Sequence, residues 1–139
     1  MMNRSNFQKL AKIRLEDAET LLQQGCYSGA YYLCGYIVEC GLKACIAKQT
    51  KKFDFPPNPT TIRDIYVHDL EKLIKAAGLR RALDEDLEKD SDLEVNWALV
   101  KDWNEKSRYE KHTETEAQNL YDAITDKKHG VLQWLSRRW

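Results

Sequence analysis

Arg108-Tyr109-Glu110-Lys111-His112 places a guanidinium and an imidazole close together, with three residues between them. An imidazole gives or takes a proton near neutral pH. A guanidinium stabilises charge developing on a phosphate. The alternative is structural, with Arg108 pairing a helix carboxylate and Tyr109 packing in the interior. A second group, Tyr36, Glu39 and Lys43, lies on one helical stretch. Glu39 and Lys43 stand four apart and can pair along a helix surface. His68 precedes a helix start and reads as a cap or packing residue.

Other chemistries find little support. The four cysteines, Cys26, Cys34, Cys40 and Cys45, form no CxxC pair and lack metal-ligand spacing, so they read as buried structural thiols. No glycine-rich phosphate loop, nucleophile elbow or HExxH occurs. Neither metal nor cofactor is expected. The tryptophans Trp97, Trp103, Trp134 and Trp139 read as core or interface rather than as base-stacking platforms. Lys127, Lys128, Arg137 and Arg138 read as the basic end of a last helix.

The elements that must hold these groups are helical throughout. Phe7, Leu10, Ala11, Ala18, Leu21 and Leu22 recur at helical spacing from Ser5 to Gln24, and Gly25 reads as the stop. From Tyr27 to Lys48, a stripe of Tyr27, Tyr31, Cys34, Val38, Gly41 and Cys45 points one way. Tyr32, Tyr36, Glu39 and Lys43 point the other, toward a subunit interface or toward partly solvated tyrosines. Residues 50–67, with Pro56, Pro57 and Pro59, read as a crossover loop packed by Phe53, Phe55 and Ile62. A third helix starts at His68-Asp69 and stops at Gly78, and Leu79 to Leu87 suggests a short one. A further helix spans Asp92 to Asp102, with Leu93, Trp97, Val100 and Trp103 inward. Residues 104–112 connect it to a last helix opening at Thr113, where Thr113 and Glu116 have capping-box spacing. That helix is expected to continue through Gly130 to Leu135.

These 139 residues fit one domain, with 42% hydrophobic and 32% charged residues. Twenty-two basic and 22 acidic residues give zero formal net charge. Such a balance argues against a high-affinity nucleic-acid sequence reader, though not against an enzyme that meets RNA transiently. No apolar run of about 18 to 20 residues is apparent, and Met1 to Gln24 lacks a signal-peptide centre, so no membrane role and a cytoplasmic location are expected.

In order along most of the chain, a first helix with Asp17-Ala18 and Leu21-Leu22, then Gly25-Cys26-Tyr27-Ser28-Gly29-Ala30-Tyr31-Tyr32, then Glu39-Cys40-Gly41-Leu42-Lys43-Ala44, His68-Asp69-Leu70 and Trp103 to Tyr109 resemble the HEPN family. The resemblance implies an all-α antiparallel up-and-down bundle of four to five helices, and a homodimer. Many members are metal-independent ribonuclease toxins partnered by nucleotidyltransferase-type antitoxins. In them an Arg contacts phosphate and a His, separated from it by four to six residues, does acid–base work, as attack by an RNA 2′-OH requires. The resemblance carries Arg108 and His112 into those catalytic roles, with Glu39, Lys43, Tyr109 and Tyr36 as supporting or ligand-binding residues. Here the spacing is one residue short and Tyr109 replaces the usual polar residue. In a helix, one missing residue turns His112 by about 100°. Glu39 would then hold Arg108, or simply pair inside the bundle. The expectation is a HEPN-like, non-catalytic module, a homodimer binding such an antitoxin or a nucleotide or RNA ligand. The alternatives are a toxin-type endoribonuclease and a plain adaptor bundle.

Overall fold

Asn3 begins the first helix by accepting from the Asn6 backbone N–H, while the Asn6 side chain accepts from Asn3 N–H in return. The computed structural model describes residues 2–53 and 68–139. Among them are seven α-helices, one 3₁₀ turn and no strand: α1 Arg4–Gln23, α2 Tyr27–Phe53, α3 Leu70–Ala76, α4 Arg80–Lys89, α5 Ser91–Lys101, the 3₁₀ turn Glu105–Tyr109, α6 Glu114–Thr125 and α7 Val131–Ser136. The all-α bundle is as expected. α1, α2, α5 and α6 are its principal helices, and α3, α4 and α7 are shorter than eleven residues. Contrary to expectation, residues 50–53 belong to α2 rather than to the crossover loop, and the rest of that loop, with its prolines, Phe55 and Ile62, lies outside the described residues.

Gly25 turns α1 back into α2. Its φ is +78°, a conformation that only glycine adopts freely. Gly25 N–H reaches Leu22 O and Cys26 N–H reaches Leu21 O, which satisfies the last carbonyls of α1. Gly78, at φ +70°, ends α3 with the same pair of bonds, to Lys75 and Ile74.

α2 is the central element and packs against α1, α3, α6, α7 and the 3₁₀ turn. Its Cys34, Ile37, Val38, Leu42 and Cys45 are buried with Leu73, Ile74, Trp97, Val100, Leu120, Ile124 and Leu135. Contrary to expectation, Tyr27–Gln49 does reach the length and hydropathy of a membrane span. Two-thirds of it is buried inside the bundle, which accounts for the apolar composition without a membrane. Cys34, Cys40 and Cys45 are buried thiols as expected, whereas Cys26 is exposed. Burial pushes Cys34 up to about 12 and Cys40 and Cys45 to about 11, so all three stay protonated.

The last helix does not continue through Gly130. Asp126 ends α6, and its carboxylate accepts from the backbone N–H groups of Lys128 and His129. That side-chain turn competes with helix. A Cβ at Gly130 would meet Asp126 O at 2.4 Å, so glycine is required where the chain turns into α7. The supposed basic helix end is correspondingly divided. Lys127 and Lys128 lie in this turn, while Arg138 bonds Asp86 at 3.0 Å and covers the Trp134 ring.

Candidate functional site

Gly35 lets the outer face of α2 carry a site. The Trp103 indole lies so close to the α2 backbone here that an added Cβ would come within 1.9 Å of it. Tyr32 and Tyr36 flank the indole, with ring centroids 6.3 and 5.2 Å away. Thus the face left open between a subunit interface and solvent is covered largely by the chain's own Trp103 and 3₁₀ turn. Asn104 caps that turn by accepting from Lys106 N–H, and the turn delivers Glu105 and Arg108 on either side of Ser107, which is buried.

At one end of this face stands Glu39, its side chain only 5% exposed. Lys43 Nζ donates to Glu39 Oε2 at 3.3 Å, the pairing that the four-residue spacing predicts. The other oxygen, Oε1, lies 2.6 Å from His68 Nδ1. Glu39 therefore holds His68 and Lys43, and not Arg108. His68 is not the cap of α3 either. Asp69 is, accepting from Lys72 N–H. His68 Nε2 points outward, 3.2 Å from Glu105 Oε2. The Tyr36 ring meets the His68 ring edge-on, with centroids 5.9 Å apart.

Tyr36 shares a hydrogen bond of 3.0 Å with the Tyr32 hydroxyl. Burial raises the Tyr36 pKa, reinforced by the Tyr32 bond and then by the charges of Glu39 and Glu105, so it stays a phenol. Arg108 follows at the far end. It is exposed, lies 4.8 Å from the Tyr109 ring and forms no ion pair among the described residues. The phenol oxygens of Tyr109 and then Tyr32 hold it above the ordinary arginine value. Neither structural expectation for this stretch holds: Arg108 has no helix carboxylate, and Tyr109 is 78% exposed rather than packed.

His112 is placed apart from this line. Its ring stacks on Tyr31, with centroids 3.6 Å apart and planes 11° from parallel. Nδ1 faces Glu116 Oε2 at 3.3 Å, and the backbone N–H donates to Ser28 Oγ. Glu116 is also the second half of the capping box at Thr113, as its spacing predicts. His112 Nε2 is buried without a hydrogen-bond partner among the described residues, with Glu110 Oε2 3.8 Å away, and the side chain is 6% exposed. The same stretch holds two more unpartnered buried polar atoms, Trp103 Nε1 and Ser107 Oγ. The structure thus gathers Tyr36, Glu39 and Lys43 around His68 and sets Arg108 and Tyr109 beyond Tyr32. It leaves His112 against Tyr31, with no partner shared with Arg108.

His68 is the member of this group that its sequence position does not announce: its carboxylate partner is 29 residues away.

A second histidine site lies at the opposite end of α5. The ligand-bearing atoms of Asp90, Asp92 and His129 lie within 4.8 Å of one another, close enough to suit a metal. Asp90 is already committed: it caps α5 by accepting from Asp92 and Leu93 N–H, and it bonds His129 Nδ1 at 2.7 Å. Its hydrogen bond from His129, ahead of those backbone bonds, holds Asp90 below its ordinary value. The same bond raises His129.

A family model, HEPN domain, matches residues 7–138. No curated protein and no solved structure matches the chain.

Proposed function

The chain belongs to the HEPN domain family, and on that premise we propose that it is a binding module of that family rather than a ribonuclease working through Arg108 and His112. It acts in the cytoplasm as a homodimer that engages a nucleotide or RNA ligand, or a nucleotidyltransferase-type antitoxin. The observation that carries this reading is the separation of the two groups. A general acid or base must come within hydrogen-bond reach of the proton it moves. His112 is stacked under Tyr31 with its Nε2 buried, while Arg108 faces solvent beside Tyr109. Support for self-association comes from α5, where Val95 and Leu99, one turn apart, are 61% and 46% exposed.

One observation favours the endoribonuclease. His112 Nε2 is buried with no hydrogen bond and only the Glu110 carboxylate 3.8 Å away, so a rearrangement freeing it would be favoured. The test is incubation of total RNA with the purified protein, His112→Ala and Arg108→Ala in EDTA, with the mass in solution measured by light scattering. Intact RNA and a dimer mass are expected. Cleavage by wild type that both substitutions abolish would overturn the binding reading and establish a metal-independent ribonuclease.

A further inference from the structure

His68 is held between two carboxylates of different standing. Glu39 is buried in the middle of α2 and neutralised by Lys43, so it is a fixed orienting group. Glu105 is about half exposed on the 3₁₀ turn, and His68 is its only ion partner among the described residues. Nδ1 is hydrogen-bonded to Glu39, whereas the Nε2 contact with Glu105 is an ion pair, formed when both ring nitrogens carry protons. In that form the charges cancel in pairs, Lys43 with Glu39 and His68 with Glu105. Lifting Glu105 away leaves one outward N–H on a cation whose orientation is already set. It is flanked by the edge of Tyr36 and followed along the face by Arg108, which has no carboxylate of its own.

We propose that His68 is the centre of a phosphate-binding site, and that Glu105 occupies it until the phosphate of a nucleotide or RNA strand takes its place. The inference rests on the binding-module reading and names where its ligand sits. Glu105 Oε2 marks the position of a phosphate oxygen, and a charge-assisted bond to that oxygen replaces the ion pair lost. Arg108 gives a second cationic contact for a longer ligand, and Tyr109 an exposed ring beside it on which a base can stack. Bringing an anion to His68 costs the displacement of Glu105, so wild-type affinity is held down by the chain itself.

The test is fluorescence anisotropy of a short labelled single-stranded RNA with the full chain, with ATP and inorganic phosphate as competitors. Glu105→Gln removes the competing charge and is expected to tighten binding by about three- to tenfold. His68→Gln is expected to weaken it by a similar factor and to cancel the gain in the double variant. A gain from Glu105→Gln cannot come from misfolding, and Asp92→Asn, which should leave binding unchanged, separates it from an effect of net charge. Competition by ATP assigns the site to nucleotides, and RNA binding that neither competitor reduces assigns it to strands. Unchanged affinity in both single variants would overturn the site while leaving the binding reading in place. If the wild-type chain binds neither RNA nor ATP, both fall.

Discussion

Two histidines in this bundle have nearly the same partners. His129 Nδ1 lies 2.7 Å from Asp90, with Asp92 at 3.6 Å from Nε2. His68 Nδ1 lies 2.6 Å from Glu39, with Glu105 at 3.2 Å from Nε2. What surrounds them differs. At His129 the main contacts also build local structure: Asp90 caps α5, Asp126 accepts from the His129 N–H within its turn, and Asn96 on α5 donates to the His129 carbonyl. Apart from the exposed Asp92, the groups there are explained by holding the chain together. At His68 the first carboxylate sits inside a helix, buried, and caps nothing. Burying a charge is weak evidence for stability, because an apolar residue of similar volume often does as well. The difference teaches that a carboxylate–imidazole pair is not in itself a site. What counts is whether local structure already uses the carboxylate.

The comparison breaks most easily at its support. Gly35→Ala thrusts a methyl group into the Trp103 indole, and the indole cannot yield without moving the turn that carries Glu105. A loss of about 3 kcal/mol in urea unfolding is expected, in the range of overpacking. A loss below about 1 kcal/mol would mean that Trp103 does not fix this face. Glu39→Ala leaves Lys43 and His68 without their shared carboxylate. It is expected to cost about 2 kcal/mol, as for a charged hydrogen-bonded group. Asp90→Ala, at the more accessible counterpart, should cost less in the same assay, and the reverse order would make Glu39 the less important of the two.

Ligand binding sharpens the same comparison. Glu105→Gln should tighten RNA several-fold, whereas Asp92→Asn, the matching change beside His129, should leave it unchanged. Equal gains from both would reduce the effect to net charge.

Much of this scaffold was legible because its signals are local. Gly25 and Gly78 as helix stops, the Thr113–Glu116 box and the Glu39–Lys43 pair all depend on residues within a few positions. The α2 stripe was legible for the same reason, since one helix sorts its own faces. What was not legible is tertiary. Gly35 carries no sign that an indole 68 residues away will lie on it, and nothing near His68 points to Glu39. Periodicity carried the last helix past Asp126 because apolar spacing resumes after the turn, and spacing does not register a side chain that captures backbone N–H groups. The Arg108–His112 pair misled in the other direction. Proximity in sequence put them together, yet a 3₁₀ turn ending at Tyr109 sends one outward and lets the other stack on Tyr31.

The smallest expected effect is a pH dependence at His129. Its pKa is raised, first by the hydrogen bond to Asp90, so the folded state holds a proton that the unfolded chain releases near the ordinary histidine value of about 6.5. The stabilisation is therefore fully present below that value and is lost as pH rises through the higher folded one. Asp90 is shifted down, so its share is present above the ordinary aspartate value of about 3.8 and is lost as pH falls through the lower folded one. Both groups are solvent-accessible, which keeps the effect modest and sensitive to salt. The urea midpoint of wild type should exceed that of His129→Gln most at about pH 5 to 6, and the gap should narrow toward pH 8.5. A gap that stays constant over that range would show that His129 works through its neutral hydrogen bonds alone. The ion pair would then be incidental to the stitch, and the contrast with His68 would rest on burial rather than on charge.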